Sequence, residues 1–350
     1  MSDILLATKI YIPPLRSNLV SRKNLVQRLN EGLIQNSRLI LISAPAGYGK
    51  STLLSEWVSQ LDVPATWLTL EKGENTPARF WTYFLAALTN IPHLSQVCDI
   101  EAFIEALQSP QPPQMDILLV NLLNAISNLK EPAVFVLDDL HTIKNDQINQ
   151  DLVFLIEHLP RNKKSLHLIL SSRMDPPWPL ARWRVRDELV EIRAADLRFT
   201  PEEAGNFLYK VMQLNLSAED VQILENRTEG WVAGLQMAAL SLQGRMKGQG
   251  LQGVTRFIEA FTGSNRFILD FLMEEVIDQQ PDELREFLLK TSILRQFTAA
   301  LCDVLLDRKD SQSTLVQAEQ ANLFLIPLDD ERQWYRYHHL FAEHLQKQLK

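Results

Sequence analysis

The sequence predicts an α/β core, a parallel five-stranded sheet with helices on both faces, followed by an all-α domain and a winged-helix domain. Three observations carry that expectation. Short apolar runs rich in β-branched residues alternate with helical patterns through about residue 193. A glycine-rich segment, Ala44–Ser51, falls between the first such run and the first helical pattern. Beyond residue 196 the pattern becomes helical, with a single two-strand signal near the C-terminus.

The elements follow in order. Arg38–Ser43 (RLILIS) is apolar on both faces and reads as a buried strand. Ser51–Leu61 reads as a helix, with Leu53, Leu54, Trp57, Val58 and Leu61 on one stripe. Ala65–Leu70 is a second strand, and Pro77–Leu88 a helix that opens on proline. A Pro-rich break at Gln111–Pro113 precedes a helix over Met115–Leu129. Ala133–Asp138 is a third strand, Gln150–Leu159 a helix, Leu166–Ser172 a fourth strand and Leu189–Ile192 a fifth. Strands separated by helices pair in parallel, because each crossover needs an intervening element.

Thr200-Pro201-Glu202-Glu203 is a helix start with a capping threonine, proline at the first position and glutamate at the third. The Gly-rich stretch Gly244–Gly253 reads as a loop. Leu323–Leu328 and Gln333–Tyr337 read as a hairpin turning at Asp329–Arg332, followed by a helix over His339–Leu349. The expected domains are 1–195, 196–264 and 265–350.

Composition narrows the function classes. With 350 residues, 46% hydrophobic and 22% charged, the chain is an ordinary globular one and not a disordered or collagen-like one. Lys and Arg total 35 against 43 Asp and Glu, a formal charge of -8. That balance argues against broad binding to nucleic acid or anionic membranes. Residues 265–350 hold 10 Lys and Arg against 15 Asp and Glu, so the winged-helix module is expected to act as a lid or hinge and not as a DNA reader. Cys98 and Cys302 stand far apart in no metal-ligand spacing, which fits a reducing cytoplasm. No signal peptide is evident and no apolar run approaches the ~20 residues of a membrane span. A cytoplasmic protein without membrane partners is expected.

Ala44-Pro45-Ala46-Gly47-Tyr48-Gly49-Lys50-Ser51 meets the phosphate-loop pattern except that alanine stands at its first glycine. Glycines let backbone N–H groups approach phosphate oxygens, and the following helix adds its positive end. Lys50 is placed to reach the β- and γ-phosphates of ATP, and Ser51 to offer a hydroxyl to Mg²⁺. Val134–Asp139 ends an apolar strand in two carboxylates at the sheet edge where ligands bind. Asp138 is the candidate Mg²⁺ partner, and Asp139 the candidate to orient or deprotonate the attacking water. Arg173, after the fourth strand, is either a γ-phosphate sensor or a surface arginine. The run Arg182–Arg186 has the composition of a nucleic-acid patch with an aromatic, but a solvated loop or an arginine contact between subunits is the expectation. His338, His339 and His344 lack the further ligands that a metal site needs.

These segments resemble the N-terminal nucleotide-binding and oligomerisation region of MalT-type STAND ATPases, found in large LuxR-type transcription regulators. The resemblance is carried by Thr8-Lys9, Pro13, Arg16 and Val20-Ser21-Arg22; by APAGYGKST (44–52); and by TWLTLEKGENTPARFWTYFLAAL (66–88). It continues through VFVLDDLH (134–141), the segment 168–204, TEGWVAGLQMAALSL (228–242), FLLKTSIL (287–294) and WYRYHHLFAEHL (334–345). It implies an ADP-bound closed form, and an open form that self-associates when ATP and an inducer bind. Hydrolysis resets this switch. Val20 and Arg22 are implied at adenine. Ala46, Gly47, Tyr48, Gly49, Lys50, Ser51 and Thr52 are implied at the phosphates and Mg²⁺, with Arg173 as sensor. Gly234-Leu235 lies where relatives carry a Gly-Leu-Pro contact, without the proline here. His338-His339-Leu340 resembles a Met-His-Asp-Leu motif, which implies His338 at the β-phosphate of ADP. Full-length members continue into a helical-repeat sensor and a DNA-binding helix-turn-helix, so DNA is expected to be met only through domains outside this chain. The competing readings are a P-loop enzyme such as a kinase or DNA-handling ATPase, and an ATP-binding scaffold that does not hydrolyse.

Overall fold

The computed structural model describes residues 5–15, 18–35, 37–92, 94, 98–109, 111, 113–160 and 164–349, with side chains at 244–255 and 259 left aside. Arg16 and Pro112 therefore lie outside the described residues. The chain divides into two compact units. The first comprises Met1–Leu15, Ser21–Ser43 and Lys50–Arg193; the second comprises Arg16–Val20, Ala44–Gly49 and Ala194–Lys350.

In the first unit five parallel strands run in the order β2-β3-β4-β1-β5. They are β1 (Leu39–Ser43), β2 (Ala65–Thr69), β3 (Ala133–Asp138), β4 (Leu166–Ser172) and β5 (Leu189–Arg193). Every residue of β1, β3 and β4 is buried, as runs apolar on both faces require. β4 lies between β1 and β3, so the strand ahead of the glycine-rich loop and the strand ending in Asp138 are not neighbours.

The helix Pro77–Leu88 buries every residue from Phe80 to Leu88. Its rings pack edge-on, Phe80 to Trp81 at 5.2 Å and Trp81 to Phe84 at 4.8 Å, and Phe84 meets Phe135 of β3 at 4.7 Å. Each such side chain contributes roughly 1.5–3 kcal/mol by leaving water. The Thr8-Lys9 segment is anchored by charge: buried Lys9 donates to Glu74 at 2.8 Å and pairs with Glu71 at 3.0 Å.

Four sequence expectations change here, the first being the run Arg182–Arg186, which lies largely in a helix, Leu180–Val185, with Trp183 buried, and is not a solvated loop. A helix Ile100–Leu107, capped by Asp99, was not foreseen. The helix expected from Gln150 begins at Asp146, because the Asn145 side chain accepts from the N–H groups of Gln147 and Ile148 and starts it one turn earlier. In the second unit the expected loop Gly244–Gly253 is part of one helix, Val232–Glu259. A helical glycine costs about 1 kcal/mol relative to alanine but keeps its N–H donor, so glycines without a proline do not break the ladder.

Among its described residues the rest of the second unit is mostly helical, with one hairpin. Thr200 and Glu203 form the expected reciprocal cap on Pro201–Asn206. The helix Ala218–Thr228 ends on Glu229 in the left-handed region, followed by Gly230 at φ +70°. A Cβ on Gly230 would stand 2.5 Å from the Phe199 carbonyl oxygen, so only glycine fits. Helices Arg266–Leu272, Asp282–Thr291, Ala299–Leu306 and Ser311–Gln320 lead to the antiparallel pair β6 (Leu325–Pro327) and β7 (Tyr335–Tyr337), and His339–Leu349 closes the unit. No helix of the described residues is long and apolar enough to cross a membrane.

Candidate functional site

The glycine-rich segment has the backbone its sequence calls for. Gly47 and Gly49 sit at φ +78° and +79°, where a side chain is strained, and the helix Lys50–Val58 begins directly after them. A Cβ on Gly49 would meet nothing, so its torsion alone selects glycine there. Ala44 is fully buried, which explains a small residue at the first position of the pattern.

In the first unit Lys50 is buried at 7% exposure. Burial pushes its ammonium down to about 8; Asp139 opposes this, Arg173 adds to it and Asp138 opposes it. Asp138 is buried at the end of β3, and its Oδ1 accepts from the Asp139 N–H at 3.1 Å. Asp139 is left-handed at φ 58°, a conformation that aspartate tolerates and that costs about 1 kcal/mol or more. Burial, then Arg173, Lys50 and Lys144, push the His141 ring down to about 3. The ring is neutral, so its 3.6 Å approach to Asp139 Oδ1 is not an ion pair. Lys50, Asp138, Asp139, Arg173 and His141 thus form one electrostatic group.

Ser51 is half-buried and Thr52 exposed, one after the other in the first turn of the helix. Arg22 is half-buried at the start of the helix Lys23–Ile34, and its N–H donates to Glu56 at 3.3 Å. Asp175 was not foreseen. Its Oδ1 accepts from Ser43 Oγ at 2.7 Å and pairs with Arg193, joining the ends of β1 and β5.

In the second unit lie Val20, half-buried, and residues 44–49. The fully buried Trp231 donates its indole N–H to the Ala46 carbonyl at 3.0 Å, and the Ala233 N–H donates to the Gly47 carbonyl at 3.0 Å. A Cβ on Gly47 would lie 2.5 Å from Ala233 Cβ and 2.9 Å from Trp231 Nε1. Trp231 also meets the rings of Phe324 at 5.1 Å, Phe271 at 5.6 Å and His338 at 6.0 Å. Tyr48 lies 6.1 Å from Phe324; burial pushes its phenol up to about 12, with Arg198 pulling against the shift.

His338 is buried, and its Nε2 lies 2.9 Å from the Thr228 carbonyl oxygen. A carbonyl only accepts, so Nε2 carries the proton and a neutral ring leaves Nδ1 as an acceptor. Nδ1 is buried and has no hydrogen-bond partner among the described residues. Burial pushes the ring down to about 4, against a smaller opposing pull from Glu229. Glu229 grips Arg336 with both oxygens, at 2.9 and 2.8 Å, and accepts from the His339 N–H at 3.0 Å. Gly234 packs on Trp231, where a Cβ would stand 2.7 Å from the ring. Trp231, Ala233 and Glu229 escaped the sequence reading, although all three lie in the quoted segment 228–242. Among the described residues no group of three or more His, Cys, Asp or Glu side chains is arranged to hold a metal.

Residues 18–170 match the AAA ATPase domain family and residues 273–350 the MalT winged helix domain family. The chain is 34% identical over 350 residues to the HTH-type transcriptional regulator MalT of Yersinia enterocolitica, covering 99% of this chain and 37% of that protein. It is 33% identical over 347 residues to the regulator of the same name from Serratia proteamaculans, again covering 99% and 37%. The chain therefore spans little more than a third of the curated relatives it matches. Among solved structures, a Walker-type ATPase of Pyrococcus abyssi is similar with TM-score 0.64 and 14% identity, over 96% of this chain and 100% of that one. At that identity the likeness concerns the fold.

Proposed function

The chain belongs to the MalT-type family of STAND P-loop ATPases, and we propose that it is a regulatory switch that binds and slowly hydrolyses ATP. The observation that carries this reading is the segment 44–51. Two glycines at positive φ turn the backbone, and a buried cation opens the helix that follows. A polyphosphate brings negative charge to an ammonium whose own hydration is lost. The N–H groups of residues 46–49 and the Lys50 ammonium bind the phosphates, and Val20 and Arg22 face adenine. Ser51 and Asp138 supply the oxygen donors that would hold Mg²⁺, which when bound neutralises phosphate charge. Asp139 orients or deprotonates the attacking water, and Arg173 senses the γ-phosphate.

Within 194–350 we take 196–264 as the helical domain and 265–350 as the winged helix. A nucleotide shifts these only by the difference between its affinities for two arrangements. We take ADP to favour the closed arrangement and ATP with an inducer the open, self-associating one. His338 is retained as a β-phosphate contact on one condition. A phosphate oxygen only accepts and Nε2–H is committed to Thr228, so Nδ1 must gain a proton, which the phosphate charge favours. Control of transcription through DNA-binding domains is proposed for the whole regulator by its kinship with the relatives above.

Asp139→Asn tests the hydrolytic part. ATP should still bind, with turnover reduced about 100-fold, the usual scale for a lost general base. Undiminished turnover in a phosphate-release assay removes Asp139 from catalysis.

A further inference from the structure

The phosphate-binding loop is held in shape by hydrogen-bond donors more than 180 residues away in sequence. Such a loop works through its N–H groups, so its carbonyls must point elsewhere. Each peptide unit here is trans and planar, so fixing a carbonyl fixes the following N–H in the opposite direction. The indole N–H of Trp231 takes the Ala46 carbonyl and thereby directs the Gly47 N–H. The Ala233 N–H takes the Gly47 carbonyl and thereby directs the Tyr48 N–H. Both bonds are 3.0 Å, and Trp231 is fully buried, locked between the rings of Phe271, Phe324 and His338. The absence of a Cβ on Gly47 is what lets Trp231 and Ala233 approach.

We infer that Trp231 is a positioning residue for nucleotide binding: through the Ala46 carbonyl it turns the loop N–H groups toward the β-phosphate. It touches no phosphate itself. The inference rests on the nucleotide reading above and adds to it that the loop's affinity is set by the residue ahead of the helix Val232–Glu259. Free in solution, a glycine-rich loop samples many peptide orientations, and ligand binding must suppress them; a fixed carbonyl removes that cost beforehand.

The test uses two variants of the full chain. Trp231→Phe removes the N–H and reduces the ring. Replacement of Trp231 by 3-benzothienylalanine keeps the bicyclic shape and removes only the donor, which guards against a packing artefact. Affinities for Mg-ADP and for AMP, which lacks the β-phosphate, are measured by competition against a fluorescent ADP analogue, with Lys50→Ala as reference. Both variants should bind ADP about tenfold more weakly, the scale of one hydrogen bond plus lost preorganisation, while AMP affinity stays within about twofold. Unchanged ADP affinity, or equal losses for ADP and AMP, overturns the positioning role while wild-type binding keeps the nucleotide reading. Wild-type protein that binds no ADP overturns both.

Discussion

Lys50→Ala abolishes nucleotide binding, with a loss of about 100-fold or more in affinity for both ATP and ADP, while the protein stays folded. The size follows from truncating one partner of a desolvated charge pair, which costs about 2–5 kcal/mol in binding. The fold survives because burial, the largest influence on Lys50, works against its charged form and pushes it down to about 8 despite the opposing pull of Asp139 and Asp138. Alanine is also the best helix former for the first position of Lys50–Val58. Calorimetric titration with Mg-ADP, alongside thermal unfolding of the nucleotide-free protein, separates the two effects. Retained affinity would mean that phosphates bind elsewhere.

The second large effect is on stability. Glu229→Gln should destabilise the protein by about 3 kcal/mol, because it removes the negative charge facing a mostly buried Arg336 and puts an NH2 donor in place of one of its two acceptors. Glutamine keeps the shape, so the loss reports charge and not packing. A double variant, Glu229→Gln with Arg336→Met, should recover much of the loss, since it also removes the cation that Glu229 holds most closely and leaves only the longer 3.9 Å pairing with Arg198 unmet. Urea midpoints at constant slope measure both. The pH dependence follows from the same contacts. Burial raises the Glu229 carboxyl, but Arg336, His338 and the His339 N–H together pull it down to about 2. A folded value below the ordinary 4.5 means that this stability is present above about 4.5 and is lost as pH falls from there toward 2. Glu229→Gln should flatten that part of the acid profile.

The sheet was legible because β1, β3 and β4 are apolar on both faces, a pattern that surface helices do not show. The loop was legible because backbone geometry restricts two of its positions to glycine, and Thr200 because a capping box is a local signal. What escaped was set by competition or by distance. Gly244–Gly253 combines small local penalties, which the continuous helix Val232–Glu259 outweighs. Trp231 and Ala46 are 185 residues apart, and Glu229 and Arg336 are 107 apart, so no local periodicity announces either pair. His338 was legible as a residue of interest, but not the commitment of its Nε2 to Thr228, which decides what Nδ1 can do.

A regulatory switch requires that residues beyond the loop respond to the γ-phosphate, and amide hydrogen exchange measures that response most directly. Asp139→Asn protein is loaded with Mg-ATP or with Mg-ADP, and exchange is followed across 228–235 and 324–339. Different protection of these segments in the two nucleotides is the result expected of a switch. Identical exchange in both, with each nucleotide bound, would contradict it and leave an ATP-binding protein that does not read its own nucleotide.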